Sequence, residues 1–171
     1  PNRARLLERV ADRVAAGTLT IASHDDTTLE HVEQALAEGA TIAEFPCTLE
    51  AARTGAECGQ WNLGGAPNVV RGGSHSGNVA VRELARAGVL HGLSSDYVPA
   101  SSLQAVFALA TDGTLPLPEA VRLVSAAPAE RLGLDDRGAI AIGRRADLVR
   151  LDVVGGLPVV REVLVGGRRV A

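Results

Sequence analysis

Residues 66–78, APNVVRGGSHSGN, pack Asn68, Arg71, Gly72, Gly73, Ser74, His75, Ser76 and Asn78 into one short stretch. An arginine clamps phosphate oxygens through two parallel N–H donors, and backbone N–H groups at a glycine turn or a helix start attract anions. So many donors so close together mark half of a phosphate-binding active site. Asn68, Arg71, Gly73, Ser74, His75, Ser76 and Asn78 are the residues that would touch the ligand. Ser76 or Asn78 also fits the cap of the helix that follows, a role compatible with anion binding.

Two further places carry chemistry. His24 closes an apolar run and is followed by Asp25 and Asp26. A histidine at a strand end with acidic neighbours suits a divalent metal or general acid–base work. It equally suits a hydrogen-bonded histidine, with Asp25 or Asp26 capping the next helix. Asp96 follows the apolar run 89–95. A carboxylate there can take a proton from a metal-bound water, and it also fits a turn aspartate ahead of Pro99. His31 within a helical pattern and His91 within a strand read as structural, and Trp61, the sole tryptophan, as core.

The elements that must position these groups follow from hydrophobic period. Leu6, Leu7, Val10, Ala11 and Val14 predict an amphipathic helix over 3–16, ending at Gly17. Strands are expected at 18–23, 40–45, 60–66 and 89–95. Between them, Thr27 and Glu30 form a capping box for a helix that turns Leu29, Val32 and Leu36 inward, and a helix of about nine residues starts at Thr48. Residues 66–78 read as a loop leading into a helix that ends at Gly88, with more helices near 100–111 and 118–126.

Alternating β and α elements with apolar strands predict parallel βαβ units buried on both faces, with ligands at the C-terminal strand ends. The strand ends deliver His24-Asp25-Asp26, then Glu44 and Pro46, then Asn68 and the 71–75 turn, then Ser95-Asp96-Tyr97. From Gly133 the texture changes to short alternating strands broken by glycine, beginning with GAIAIG. Two domains are therefore expected, 1–132 built of βα units and 133–171 a small β-subdomain.

Composition narrows the classes. The chain has 171 residues, 46% of them apolar, enough for a folded domain. All seventeen basic residues are Arg, yet the net charge is −3 with no basic run, which argues against a nucleic-acid surface. No apolar run approaches the ~20 residues of a membrane span, and no signal peptide opens the chain, so a cytoplasmic location is expected. Cys47 and Cys58 lack CxxC spacing and read as buried or half-buried free thiols.

The order SHDDTTLEHV, TIAEFPCTLEAA, GAPNVVRGGSHSGN and LSSDYVPAS resembles the C-terminal half of the PhnM family, metal-dependent triphosphate diphosphatases of the carbon–phosphorus lyase pathway within the amidohydrolase superfamily. The tail SAAPAERLGLDDRGAIAIGRRADLVRLD is similar to superfamily segments that leave the barrel for a small β-sandwich. The resemblance implies the C-terminal half of a (β/α)8 TIM-type barrel, about four parallel strands with helices, followed by that β-subdomain. It implies hydrolysis of α-D-ribose 1-methylphosphonate 5-triphosphate to the 5-phosphate and pyrophosphate. The implied cofactor is a divalent metal, zinc foremost, with manganese or iron as alternatives. His24 would be a metal ligand, and Asp96 would bind metal and activate the attacking water.

The family's other metal ligands, an HxH pair among them, have no counterpart here. The chain is accordingly expected to be a fragment, inactive alone, that self-associates or pairs with a missing N-terminal half. Two rival readings stand beside this one. The first is another amidohydrolase, a cyclic amidase or deaminase, for which the Arg-Gly-Gly-Ser-His turn has no obvious partner. The second is a non-catalytic half-barrel that binds phosphate compounds.

Overall fold

The computed structural model describes residues 2–74 and 76–171. Its first part runs α1 (Asn2–Ala15), β1 (Ile21–His24), α2 (Leu29–Ala37), β2 (Ala40–Glu44), α3 (Leu49–Glu57), β3 (Trp61–Gly65), α4 (Ala66–Arg71), α5 (Val81–Arg86), β4 (Gly92–Ser94), α6 (Ser101–Thr111), α7 (Leu117–Arg122) and α8 (Ala126–Arg131). The four strands are parallel and lie in the order β1-β2-β3-β4. A second sheet of β5 (Leu148–Val154), β6 (Leu157–Val165) and β7 (Arg168–Arg169) is antiparallel. This is the α/β half-barrel architecture with a small β-sheet appended.

The two faces of the parallel sheet differ. Ala43, Asn62, Gly64 and Leu93 point under the helices and are buried. There they join a core that includes Ala52, Val69, Leu84, Val106 and Leu109. Full burial of each Leu stabilises the fold by roughly 1.5–3 kcal/mol. The opposite face carries Ala22, His24, Ile42, Glu44, Trp61 and Leu63, which align across the strands and are half-buried or exposed. Burial on both faces, expected from the apolar strands, therefore holds on one face only. Eight strands close a barrel of this type, and four leave its inward face without opposing side chains.

Local differences from the sequence expectation have local causes. The N-cap of α2 is Thr28, not Thr27, because its extended backbone (φ −122, ψ 166) lets its hydroxyl accept from the His31 N–H. Thr27 instead donates to the Asp25 carbonyl, and its own N–H goes to His31 Nδ1, which gives that histidine its structural role. Val32 and Ala35 are the buried residues of α2, while Leu29 is exposed. β1 begins at Ile21 rather than residue 18, and β4 spans only three residues, since a strand lasts only as long as a neighbour pairs with it. The outer edge of β4 is partly covered, with the Leu93 N–H donating to the Leu123 carbonyl.

In the second sheet, Gly155-Gly156 (φ 58 and 83) and Gly166-Gly167 (φ 58 and 77) close both hairpins. Tight turns of this hand need positive φ at both central positions, which glycine alone adopts freely. The expected GAIAIG strand does not form. No described strand pairs with it, and Ile140 and Ile142 are 91% and 107% exposed. No described helix is long and apolar enough to cross a membrane. Both cysteines are free, Cys47 buried and Cys58 exposed, so the expectation of burial for both fails at Cys58.

Candidate active site at the strand ends

A cavity of about 390 Å³ opens at the C-terminal ends of β1, β3 and β4. His24, Asp96, Asn68, Arg71, Gly73, Ser74, Ser76 and Asn78 all line it. The fold thus brings together the sequence-derived candidates from three separate strand ends. His75 lies outside the described residues.

The segment read as a loop is in part a helix. β3 runs directly into α4, where Pro67 sits in the first turn, the one place in a helix where its missing N–H costs nothing. Gly72 (φ 89) ends α4, its N–H donating to the Val69 carbonyl, while the Gly73 N–H donates to the Asn68 carbonyl. The Ser76 N–H donates to Ser74 Oγ. The Gly72, Gly73 and Ser76 amides therefore close the turn on itself. Neither Ser76 nor Asn78 caps α5. Asn68 does so, with Oδ1 accepting from the Val81 N–H at 3.0 Å. Asn78 Nδ2 donates instead to Cys47 Sγ at 3.2 Å.

Cys47 stitches the rim together. Its N–H donates to the Asp26 carbonyl and its carbonyl accepts from the Val79 N–H, joining the loops after β1, β2 and β3. Burial pushes the thiol pKa up, with nearby Asp25 and Asp26 adding to the rise against a hydrogen bond from Thr27. The thiol therefore stays protonated at neutral pH and is not a nucleophile. Asp26 is buried and accepts from Ser23 Oγ, a structural role.

On the β1 and β2 side, His24 is 57% exposed, with Nδ1 3.1 Å from Asp25 Oδ2 and Nε2 4.0 Å from Glu44 Oε2. The Phe45 ring stands edge-on to the imidazole at 5.4 Å. On the other side Arg71 Nη2 donates to the Tyr97 hydroxyl. The rule that ligands sit at strand ends had marked Glu44 and Tyr97 by position, but no motif in the sequence gave either a partner.

Among the described residues three non-glycine residues have left-handed backbones: Asp25 (φ 60), Phe45 (φ 56) and Asp96 (φ 49). Each follows a parallel strand, by one or two residues. Such conformations cost up to ~1–3 kcal/mol each and persist where the surroundings enforce them. Here the Asp25 N–H is held by the Glu44 carbonyl, the Phe45 N–H by the Leu63 carbonyl and the Asp96 N–H by Ser94 Oγ. Phe45 is the most costly of the three, because an aromatic residue rarely enters this region.

The described residues do not complete a metal centre. Among them no group of three or more His, Cys, Asp or Glu is placed to hold an ion. A catalytic zinc takes about three protein ligands, and His24 with Asp96 falls short of that.

The amidohydrolase family model matches residues 7–171. The chain belongs to the amidohydrolase family. It is 52% identical over 151 residues to the alpha-D-ribose 1-methylphosphonate 5-triphosphate diphosphatase of Escherichia coli (strain K12), a match covering 87% of this chain and 39% of that protein. The chain thus spans about two fifths of the length of this relative. Among solved structures, the fold matches N-acetylglucosamine-6-phosphate deacetylase from Pasteurella multocida (TM-score 0.67, 16% identity, 96% of this chain and 54% of that one). It also matches A. niger ochratoxinase (TM-score 0.70, 16% identity, 95% and 44%). These two likenesses show a shared fold.

Proposed function

We propose that this amidohydrolase chain supplies the polyphosphate-binding part of a hydrolase that cleaves α-D-ribose 1-methylphosphonate 5-triphosphate to the 5-phosphate and pyrophosphate. The observation that carries this reading is the shared cavity, which Arg71, Ser74, Ser76 and Asn78 line together with His24 and Asp96. The name of the E. coli relative supports the substrate class.

In this reading water attacks the phosphorus nearest the sugar, and the bond to the bridging oxygen breaks so that pyrophosphate leaves with the electron pair. Arg71 neutralises charge on the outer phosphates, where it grows as the bond breaks. Asp96 accepts the proton of the attacking water. His75 would add a further donor to the phosphates.

A divalent metal, zinc foremost with manganese or iron also suited, would be held by His24 and Asp96 only with ligands from outside the described residues. The open inward face of the sheet supports the same requirement for a complementary part. We propose 1–132 as the catalytic half-barrel and 133–171 as the β-subdomain, acting in the cytoplasm. Alone, the chain is proposed to be inactive.

The test is a chimera in which this chain replaces the matching segment of the E. coli diphosphatase. The chimera is expected to release pyrophosphate from the triphosphate substrate. Arg71→Ala is expected to lower kcat/KM by about 10²-fold, the usual cost of removing one donor to a developing charge. A folded, metal-loaded chimera without pyrophosphate release, or one indifferent to Arg71→Ala, overturns the reading.

A further inference from the structure

We propose that Tyr97 is a polyphosphate-positioning residue that acts as one unit with Arg71, the two side chains gripping the same phosphate chain; this rests on the reading of the cavity as a polyphosphate site.

Arg71 ends α4 after β3, and Tyr97 lies just beyond β4, so the pair bridges two βα units across the cavity. The direction of Tyr97 is set by its neighbours. Left-handed Asp96 (φ 49) turns the chain back, the Val98 N–H donates to the Ser95 carbonyl at 3.0 Å, and Ser101 Oγ reaches the Ser95 and Val98 carbonyls at 3.2 and 2.6 Å. Tyr97 itself is 62% exposed, so packing does not account for its place.

Donor and acceptor chemistry assigns the role. A guanidinium only donates, so in the bond from Arg71 Nη2 the phenol oxygen is the acceptor and its own proton points elsewhere. Among the described residues no acceptor for that proton is found, and the cavity that Tyr97 lines is where one would come from. A hydroxyl whose oxygen accepts from a cation is polarised into a stronger donor. Phosphate oxygens are acceptors and carry negative charge. A phosphate chain thus receives two donors at once, a cationic one from Arg71 and a polarised neutral one from Tyr97.

Calorimetric titration of inorganic tripolyphosphate into the chain tests this with Arg71→Ala, Tyr97→Phe and the double variant. Tyr97→Phe is expected to weaken tripolyphosphate binding about five- to tenfold, the loss of one hydrogen bond, with unchanged melting temperature. In the Arg71→Ala background the same change is expected to do nothing. Tripolyphosphate binding unaffected by Tyr97→Phe, or weakened equally in both backgrounds, overturns the proposal. The polyphosphate reading still stands if Arg71→Ala weakens binding. Binding unchanged by Arg71→Ala, or absent in the unaltered chain, overturns both.

Discussion

At the N-terminal ends of β3 and β4 the chain is fixed by close packing and neutral hydrogen bonds. A Cβ on Gly92 would lie 2.1 Å from the Trp61 ring. His91 Nδ1 accepts from the Asn62 N–H at 2.9 Å, and Asn62 Nδ2 donates to the Ala52 and Val89 carbonyls. At the C-terminal ends the same sheet carries left-handed Asp25, Phe45 and Asp96, an exposed His24 and the Arg71–Tyr97 pair. One end is built for contact and the other holds polar groups in conformations that the backbone resists. The difference separates an end fixed by packing from an end where left-handed backbone is held by hydrogen bonds.

Three substitutions probe that contrast, in order of expected effect. Gly92→Ala forces the Trp61 ring aside and is expected to destabilise the chain by about 1–3 kcal/mol, as overpacking typically does. Trp61 is the sole tryptophan, so its fluorescence in a denaturant titration reads the change directly. A neutral outcome would mean that the packed end is loose.

His91 comes next. Burial, followed by the charge of Arg131, holds its pKa below the usual value, and Nδ1 must stay unprotonated to accept from Asn62. A folded-state pKa below the unfolded value of about 6.5 means that this contribution is complete above that pH and is lost as pH falls through the folded value. The unaltered chain is therefore expected to lose about 2–4 °C more melting temperature than His91→Gln between pH 7.5 and 5. Parallel curves would remove His91 from the account.

Asp96→Gly is the smallest change and has the opposite sign. It relieves a left-handed backbone, so melting temperature is expected to hold or rise by ~1–2 °C while pyrophosphate release by the chimera is lost. A clear loss of stability would show that no strain is stored at the ligand end.

Much of this contrast is legible in the sequence, and the rest has physical reasons for being hidden. The 3.6-residue period and glycine stops locate α1, α3 and the alternation of strands and helices, and the strand-end rule brings His24, Arg71 and Asp96 toward one cavity. Periodicity does not say whether a second layer covers an apolar strand, so the half-buried state of Ile42 and Leu63 was not visible. Nor does it separate a loop from a helix that starts with Ala-Pro, which hid α4 and the use of the Gly72 and Gly73 amides to close it. The left-handed state of Phe45 runs against its residue type. The pairing of Arg71 with Tyr97 joins residues 26 apart in the chain through the path of β4, which only the folded register reveals.

The most direct test of the central claim is to map inorganic tripolyphosphate on the isotopically labelled chain by amide chemical-shift perturbation. The account predicts shifts concentrated at Asn68, Arg71, Ser74, Ser76, Asn78 and Tyr97, with Trp61 and His91 unmoved. Shifts spread over the arginines of the second sheet, or centred on the packed strand ends, would contradict it.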